Sequence, residues 1–170
     1  MTRDKKFYSF DIFDTLVQRI TVNSKGIFQI MEYILKHDDK YRNFDNYIKD
    51  NFTMIRQNAF AEIKKEYSFD NIEPKLEDIY DRIANHNGLN LEQKQCLLNL
   101  ELQTEKNNLC PIPKNIELLK RLVNNKHKVI LISDMYLSNC NNEIASPYSF
   151  FHSFLKIQRY MSSDLHALIK

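Results

Sequence analysis

Glycine is nearly missing: two in 170 residues, where average usage would supply roughly a dozen. An α/β enzyme commonly needs glycine in the loops over its site, so the scarcity counts mildly against a complete one. There is no tryptophan, and there are four prolines and three cysteines. Cys96, Cys110 and Cys140 are widely spaced, with neither a CxxC motif nor a Cys/His pair at ligand spacing. A disulfide framework or structural zinc is the poorer reading and a reducing compartment the better one. Charge of one sign is missing too: Lys+Arg of 24 against Asp+Glu of 22 gives +2, with the signs interspersed. Neither a nucleic-acid partner nor a polybasic membrane footprint follows. No stretch approaches the ~20 apolar residues of a membrane span. The start, MTRDKKFYSFDIFDTLV, sets lysines before an apolar run as a signal peptide does, but Asp11 and Asp14 interrupt the run and no small-residue cleavage site follows. No membrane association and a cytoplasmic location are expected.

What is present is a globular composition, 43% hydrophobic and 27% charged, in a length that suits one domain. Phe7 to Phe13 reads as a short strand buried on both faces, and Val129-Ile-Leu-Ile132 as the clearest strand of the chain. Between them the periodicity is helical. Ile27, Ile30, Met31, Ile34 and Leu35 mark one helix, capped by Asn23 or Ser24. Phe44, Ile48, Phe52, Ile55, Ala59 and Ile63 mark a longer one, with Arg56, Glu62 and Lys65 off its stripe. Pro74 opens a third helix, through Leu76, Ile79, Tyr80 and Ile83, that Gly88 stops. Asn90 and Gln93 form a capping box for a fourth with Leu91, Leu98 and Leu102 inside. After the break at Pro111-Ile-Pro113, a fifth helix with Ile116, Leu119, Leu122 and Val123 leads into the second strand. Beyond Ser138 the pattern weakens into the aromatic run Tyr148 to Leu155, with Phe150, Phe151 and Phe154.

Both strands end in polar clusters, Asp11-Ile-Phe-Asp14-Thr15 and Ser133-Asp134. A helical crossover is what a parallel pair requires, and ligands of parallel sheets bind beyond the carboxyl ends of the strands. A carboxylate there can act as a nucleophile, and a hydroxyl can hold an oxygen of the transferred group. Either cluster alone is ordinarily a turn with a helix cap. Together, at opposite ends of one helical insertion, they point to a shared site. The five histidines, 37, 86, 127, 152 and 166, are dispersed and suggest no ligand set.

Ser9-Phe-Asp11-Ile-Phe-Asp14-Thr-Leu-Val17 and Val129-Ile-Leu-Ile-Ser133-Asp-Met-Tyr-Leu-Ser138 resemble motifs I and II of the haloacid dehalogenase (HAD) superfamily. The likeness is greatest to bacterial HAD-like hydrolases that carry FDIFDTL and SDMYLS and often accompany glycosyltransferases. Phe52-Thr-Met-Ile-Arg56, Ala61-Glu62 and Glu101-Leu-Gln-Thr-Glu105 are similar to their helical cap. The resemblance implies an α/β, Rossmann-like parallel-sheet core over 1–16 and 126–170, and a mostly helical cap over 17–125 that includes the helix leading into the second strand. It implies Asp11 as nucleophile and Mg²⁺ ligand, Ser133 as phosphoryl binder and Lys170 as the catalytic lysine. Thr15, Arg19 and Asp134 would serve substrate binding, with Asp134 able to orient Lys170 and Arg56 a further candidate for an anion.

The implied activity is a Mg²⁺-dependent phosphatase of a small phosphorylated metabolite, such as a sugar phosphate, working through an aspartyl-phosphate. Two departures keep alternatives open. Phe13 stands where the family's phosphatases carry a general acid, as in the dehalogenase branch that cleaves carbon–halogen bonds. No acidic pair follows to complete the Mg²⁺ site, so the core is expected to be incomplete at its C-terminus. An impaired accessory domain, associated with a glycosyltransferase or a missing C-terminal segment, is the alternative, and Phe150, Phe151 and Phe154 would then be poorly covered.

Overall fold

Two parallel strands and five helices follow from these patterns in the computed structural model, which describes residues 7–67 and 74–132. Strand β1 (Phe7–Asp11) pairs in parallel with β4 (Lys128–Ile132), from Phe7 opposite Lys128 to Asp11 opposite Ile132. The expected parallel adjacency is present, in a mixed α/β architecture that is mostly helical. Burial of β1 on both faces is not: Phe7, Ser9 and Asp11 are exposed, while Tyr8 and Phe10 are half-buried. The Lys128 ammonium lies 5.3 Å from the Phe7 ring centroid, so a cation rather than a core covers that face. Ile12, Leu16 and Val17, just beyond the strand, are the fully buried residues of this part of the chain.

The contacts divide the chain into one unit formed by residues 1–18 and 111–170 and a second formed by Arg19–Cys110. The chain leaves the first unit through β2 (Val17–Arg19) and returns through β3 (Leu109–Pro111), which pair with each other and which no sequence periodicity announced. Helix α5 (Pro113–Asn124) packs on β4, so it belongs with the strands, although the sequence reading carried the insertion on to residue 125.

The second unit is a ring of four helices: α1 (Ser24–His37), α2 (Asn46–Glu66), α3 (Leu76–Asn87) and α4 (Leu91–Asn107). Helices α1 and α3 each pack on α2 and α4. The expected stripes form the core: Ile27, Met31 and Leu35 with Ile48, Phe52, Ile55, Ala59 and Ile63, then Leu76, Ile79, Tyr80 and Ile83. Asn23 caps α1, and Asn90 and Gln93 close a reciprocal capping box on α4. Gly88 ends α3 at φ +62°, its amide and that of Leu89 both reaching the Ala84 carbonyl. Helix α2 is kinked at Asn51, and the Thr53 amide donates to Glu32 Oε2 of α1 at 3.0 Å. Burial opposes ionisation of Glu32, but the Thr53 amide and Lys36 outweigh it and hold its pKa below the ordinary value. Two side chains break the expected pattern. Leu91 is exposed, and Arg56 is buried among the helices.

The two glycines are required for different reasons. A Cβ at Gly26 would lie 2.7 Å from the Thr21 Cβ, whereas at Gly88 there is open space and only the left-handed backbone resists a side chain. Gly26→Ala is expected to cost about 1–3 kcal/mol by overpacking and to be largely rescued by Thr21→Gly. Gly88→Ala is expected to cost about 1–2 kcal/mol with no such rescue. Urea unfolding of Gly26→Ala, its double variant with Thr21→Gly, and Gly88→Ala checks both.

Candidate functional site

The carboxyl end of β1 passes into a one-turn loop over Ile12–Val17. Leu16 and Val17 both donate their amides to the Ile12 carbonyl, at 2.8 and 3.0 Å, and the Asp14 amide donates to the Val17 carbonyl at 2.7 Å. Asp14 takes φ +57°, a conformation that Asp tolerates better than most residues. Buried Ile12, Leu16 and Val17 anchor the loop from below, leaving Asp11 and Asp14 exposed above. The Ile12 amide donates to Asp11 Oδ1 at 2.8 Å, which turns the carboxylate over the loop and leaves it further acceptor capacity.

From α5, the Ile112 amide donates to the Leu16 carbonyl at 2.9 Å and the Asn115 side-chain amide to the Thr15 carbonyl at 2.7 Å. Thr15 therefore contributes its backbone to the order of the loop. Asn115 was missed by sequence reasoning. The available signal was an Asn at the third position of α5, where the helix macrodipole favours an acid.

Ser133 and Asp134 directly follow Ile132 in the sequence, and Ile132 is the register partner of Asp11. Ser133, Asp134 and Lys170, like Cys140 and the Phe150, Phe151 and Phe154 cluster, lie outside the described residues. Among the described residues no group of three His, Cys, Asp or Glu side chains is placed to hold a metal. Among the described residues, the Asp11 carboxylate at the end of β1 would hold Mg²⁺ together with water and substrate oxygens, a mode that hard cation accepts.

Both candidate arginines lie in the helical unit against carboxylates of α4. Arg19 grips Glu105 with its Nε 3.0 Å from Oε2 and one terminal nitrogen 3.1 Å from Oε1. Burial pushes the Glu105 carboxyl above its ordinary pKa, and Arg19 offsets part of that rise. Arg56 is 1% exposed and donates to both oxygens of Glu101, at 2.7 and 2.8 Å, while the Tyr80 hydroxyl donates to the same carboxylate at 2.6 Å. Its guanidinium also lies 4.7 Å from the Phe28 ring centroid. One residue from each of the four helices thus meets at Arg56. An anion-binding role for Arg56 gives way to a structural one, because Glu101 already occupies its fork.

No family model matches the chain, and no curated protein matches it.

The Arg56–Glu101 pair is expected to be costly to break and cheaper to replace. Arg56→Met alone should destabilise by about 3–5 kcal/mol by leaving a buried carboxylate unpaired, and Arg56→Met with Glu101→Leu by clearly less. A double-mutant cycle from urea unfolding reads the coupling. For Glu105 the sign is opposite to that of an ordinary salt-bridged acid. Its folded pKa lies above the unfolded 4.5, so the folded state holds an extra proton in that window. Its contribution to stability therefore falls as pH rises from 4.5 through the raised pKa, and Glu105→Gln should remove that component from a pH series of melts.

Proposed function

We propose that this chain is a hydrolase of the HAD type, a Mg²⁺-dependent phosphatase of a small phosphorylated metabolite such as a sugar phosphate, with Asp11 as nucleophile. The observation that supports this reading is the register of Asp11 with Ile132 at the carboxyl ends of two parallel strands, with Ser133-Asp134 next in the sequence. The long, largely helical connection between those strands is consistent with an inserted cap.

In the first half-reaction an Asp11 carboxylate oxygen attacks phosphorus. The P–O bond to the leaving alkoxide breaks, and the alkoxide takes a proton from water. Water then attacks the acyl-phosphate, releasing inorganic phosphate and regenerating the carboxylate. When bound, Mg²⁺ supplies charge neutralisation for the phosphoryl oxygens. The Ile12 amide fixes the direction of the carboxylate, and the exposed end of β1 leaves space for an ester above it. Ser133 would hold a phosphoryl oxygen, Lys170 would offset the charge, and Thr15 and Asp134 would line the substrate; Arg19, whose guanidinium is taken up by Glu105 within the helical unit, leaves that set for the same reason as Arg56.

Phe13 favours a second reading, an accessory domain with little chemistry of its own or one that acts at carbon. It is half-buried and bridges to Val17, so no acid stands two residues after Asp11 to protonate a leaving group. For the 170-residue chain by itself, slow phosphatase turnover is therefore expected.

The test is hydrolysis of p-nitrophenyl phosphate and a panel of sugar phosphates by this chain, with and without Mg²⁺. Mg²⁺-dependent turnover that Asp11→Asn abolishes and Asp14→Asn reduces less is the expected outcome, because an amide neither attacks phosphorus nor binds Mg²⁺ well. Robust turnover surviving Asp11→Asn would overturn the assignment.

A further inference from the structure

We infer that Asn115 is a positioning residue for Asp11, acting through the Ile12–Val17 loop. This rests on the proposed reading only for its kinetic consequence; the structural part stands on the geometry.

Among the described residues the loop's own hydrogen bonds include two onto the Ile12 carbonyl and one from the Asp14 amide onto the Val17 carbonyl, the last made by a non-glycine residue at φ +57°. Val17 is also part of β2, which pairs with β3, and the start of α5 adds two ties: the Ile112 main-chain amide on the Leu16 carbonyl and the Asn115 side-chain amide on the Thr15 carbonyl. The first is a main-chain bond that most residues at 112 would make. The second depends on the side chain at 115, a half-buried primary amide whose donor finds the Thr15 carbonyl at 2.7 Å.

Asn115 has little to do for its own helix. Helix α5 starts at Pro113 with no side-chain cap at Ile112, and the main-chain N–H of Asn115 donates to the Ile112 carbonyl without help from its side chain. Asn is also a weak helix former at such a position. Its contribution is thus to fix the carbonyl of Thr15, and through Leu16 and Val17 the carbonyl of Ile12. Ile12 is the residue whose amide holds Asp11 Oδ1. The connection from Asn115 to the carboxylate runs through one peptide segment of six residues, all in the same compact unit.

The test uses the full chain carrying Asn115→Leu, Asn115→Asp or Asn115→Gln, with Leu118→Asn on the exposed side of α5 as control. Leu preserves size without a donor, Asp preserves shape with an acceptor facing an acceptor, and Gln keeps the primary amide. Nuclear magnetic resonance reads the Ile12 amide proton shift, which reports its bond to Asp11, and the exchange rates of the Asp14, Leu16 and Val17 amides.

In the Leu and Asp variants the Ile12 proton should move upfield and the three loop amides should exchange about fivefold faster or more, the loss of one net hydrogen bond. The β1–β4 amides should keep their rates, and Gln should restore at least part of both signals. Unchanged Ile12 shift and loop exchange in Asn115→Leu would overturn the inference, as would a uniform acceleration across α5 and the strands, which marks a general loss of stability. Where Mg²⁺-dependent turnover is present, Asn115→Leu should lower kcat with KM little changed, and a rise in KM at constant kcat would overturn the positioning role. Turnover insensitive to Asp11→Asn would sink the hydrolase assignment while leaving the amide signals to decide the role of Asn115.

Discussion

Among the described residues of the first unit, the arrangement depends on one constraint, the parallel pairing of β1 with β4. Antiparallel neighbours can be joined by a two-residue turn, but parallel neighbours need the chain to travel back the length of the strand. Here the return is made through α5, which packs on β4 and brings its first turn to the loop that follows β1. The direction of the pair also sets which residues end up together. Asp11 and Ile132 close the ladder at the same end.

The insertion between those strands is stabilised in a different way. Its apolar stripes supply the buried core of the four helices. The Arg56–Glu101 pair, with Tyr80 bonded to the carboxylate and Phe28 under the guanidinium, adds a directional contact from each helix. Burying two charges carries a large desolvation penalty, which bidentate geometry and the third hydrogen bond offset. Removing either partner alone strands an ion in an apolar interior. Arg19 and Glu105 form a half-buried counterpart one helical turn further along α4.

This division explains what the sequence could and could not disclose. Helix signals that act locally were legible: the Asn90–Gln93 box, the Asn23 cap and Gly88 each satisfy backbone groups within their own turn. The two strands with their polar ends were legible as apolar runs of the right length. The inward face of α4 was not, because periodicity counts only apolar residues. Glu101, Thr104 and Glu105 are buried there, while Leu91 at the first turn is exposed. A buried carboxylate becomes recognisable only when its arginine, tens of residues away, is known to face it. The same holds for β2 and β3, three residues each, whose pairing is long-range, and for Asn115, whose partner Thr15 is 100 residues distant. The exposed Asp11 at the end of β1 was legible as a strand end, whereas the hydrogen bonds that order the loop after it were not.

The central claim is that the Asp11 carboxylate is the group that receives the transferred phosphoryl. An acyl-phosphate is reduced by borohydride at the carboxyl carbon, expelling phosphate and leaving homoserine in place of aspartate. The chain would be incubated with Mg²⁺ and a reactive phosphate ester, quenched with borohydride, digested and sequenced by mass spectrometry. Homoserine at position 11, dependent on the ester, is the result this account expects. Aspartate intact at position 11, with or without conversion of another carboxylate, would contradict it.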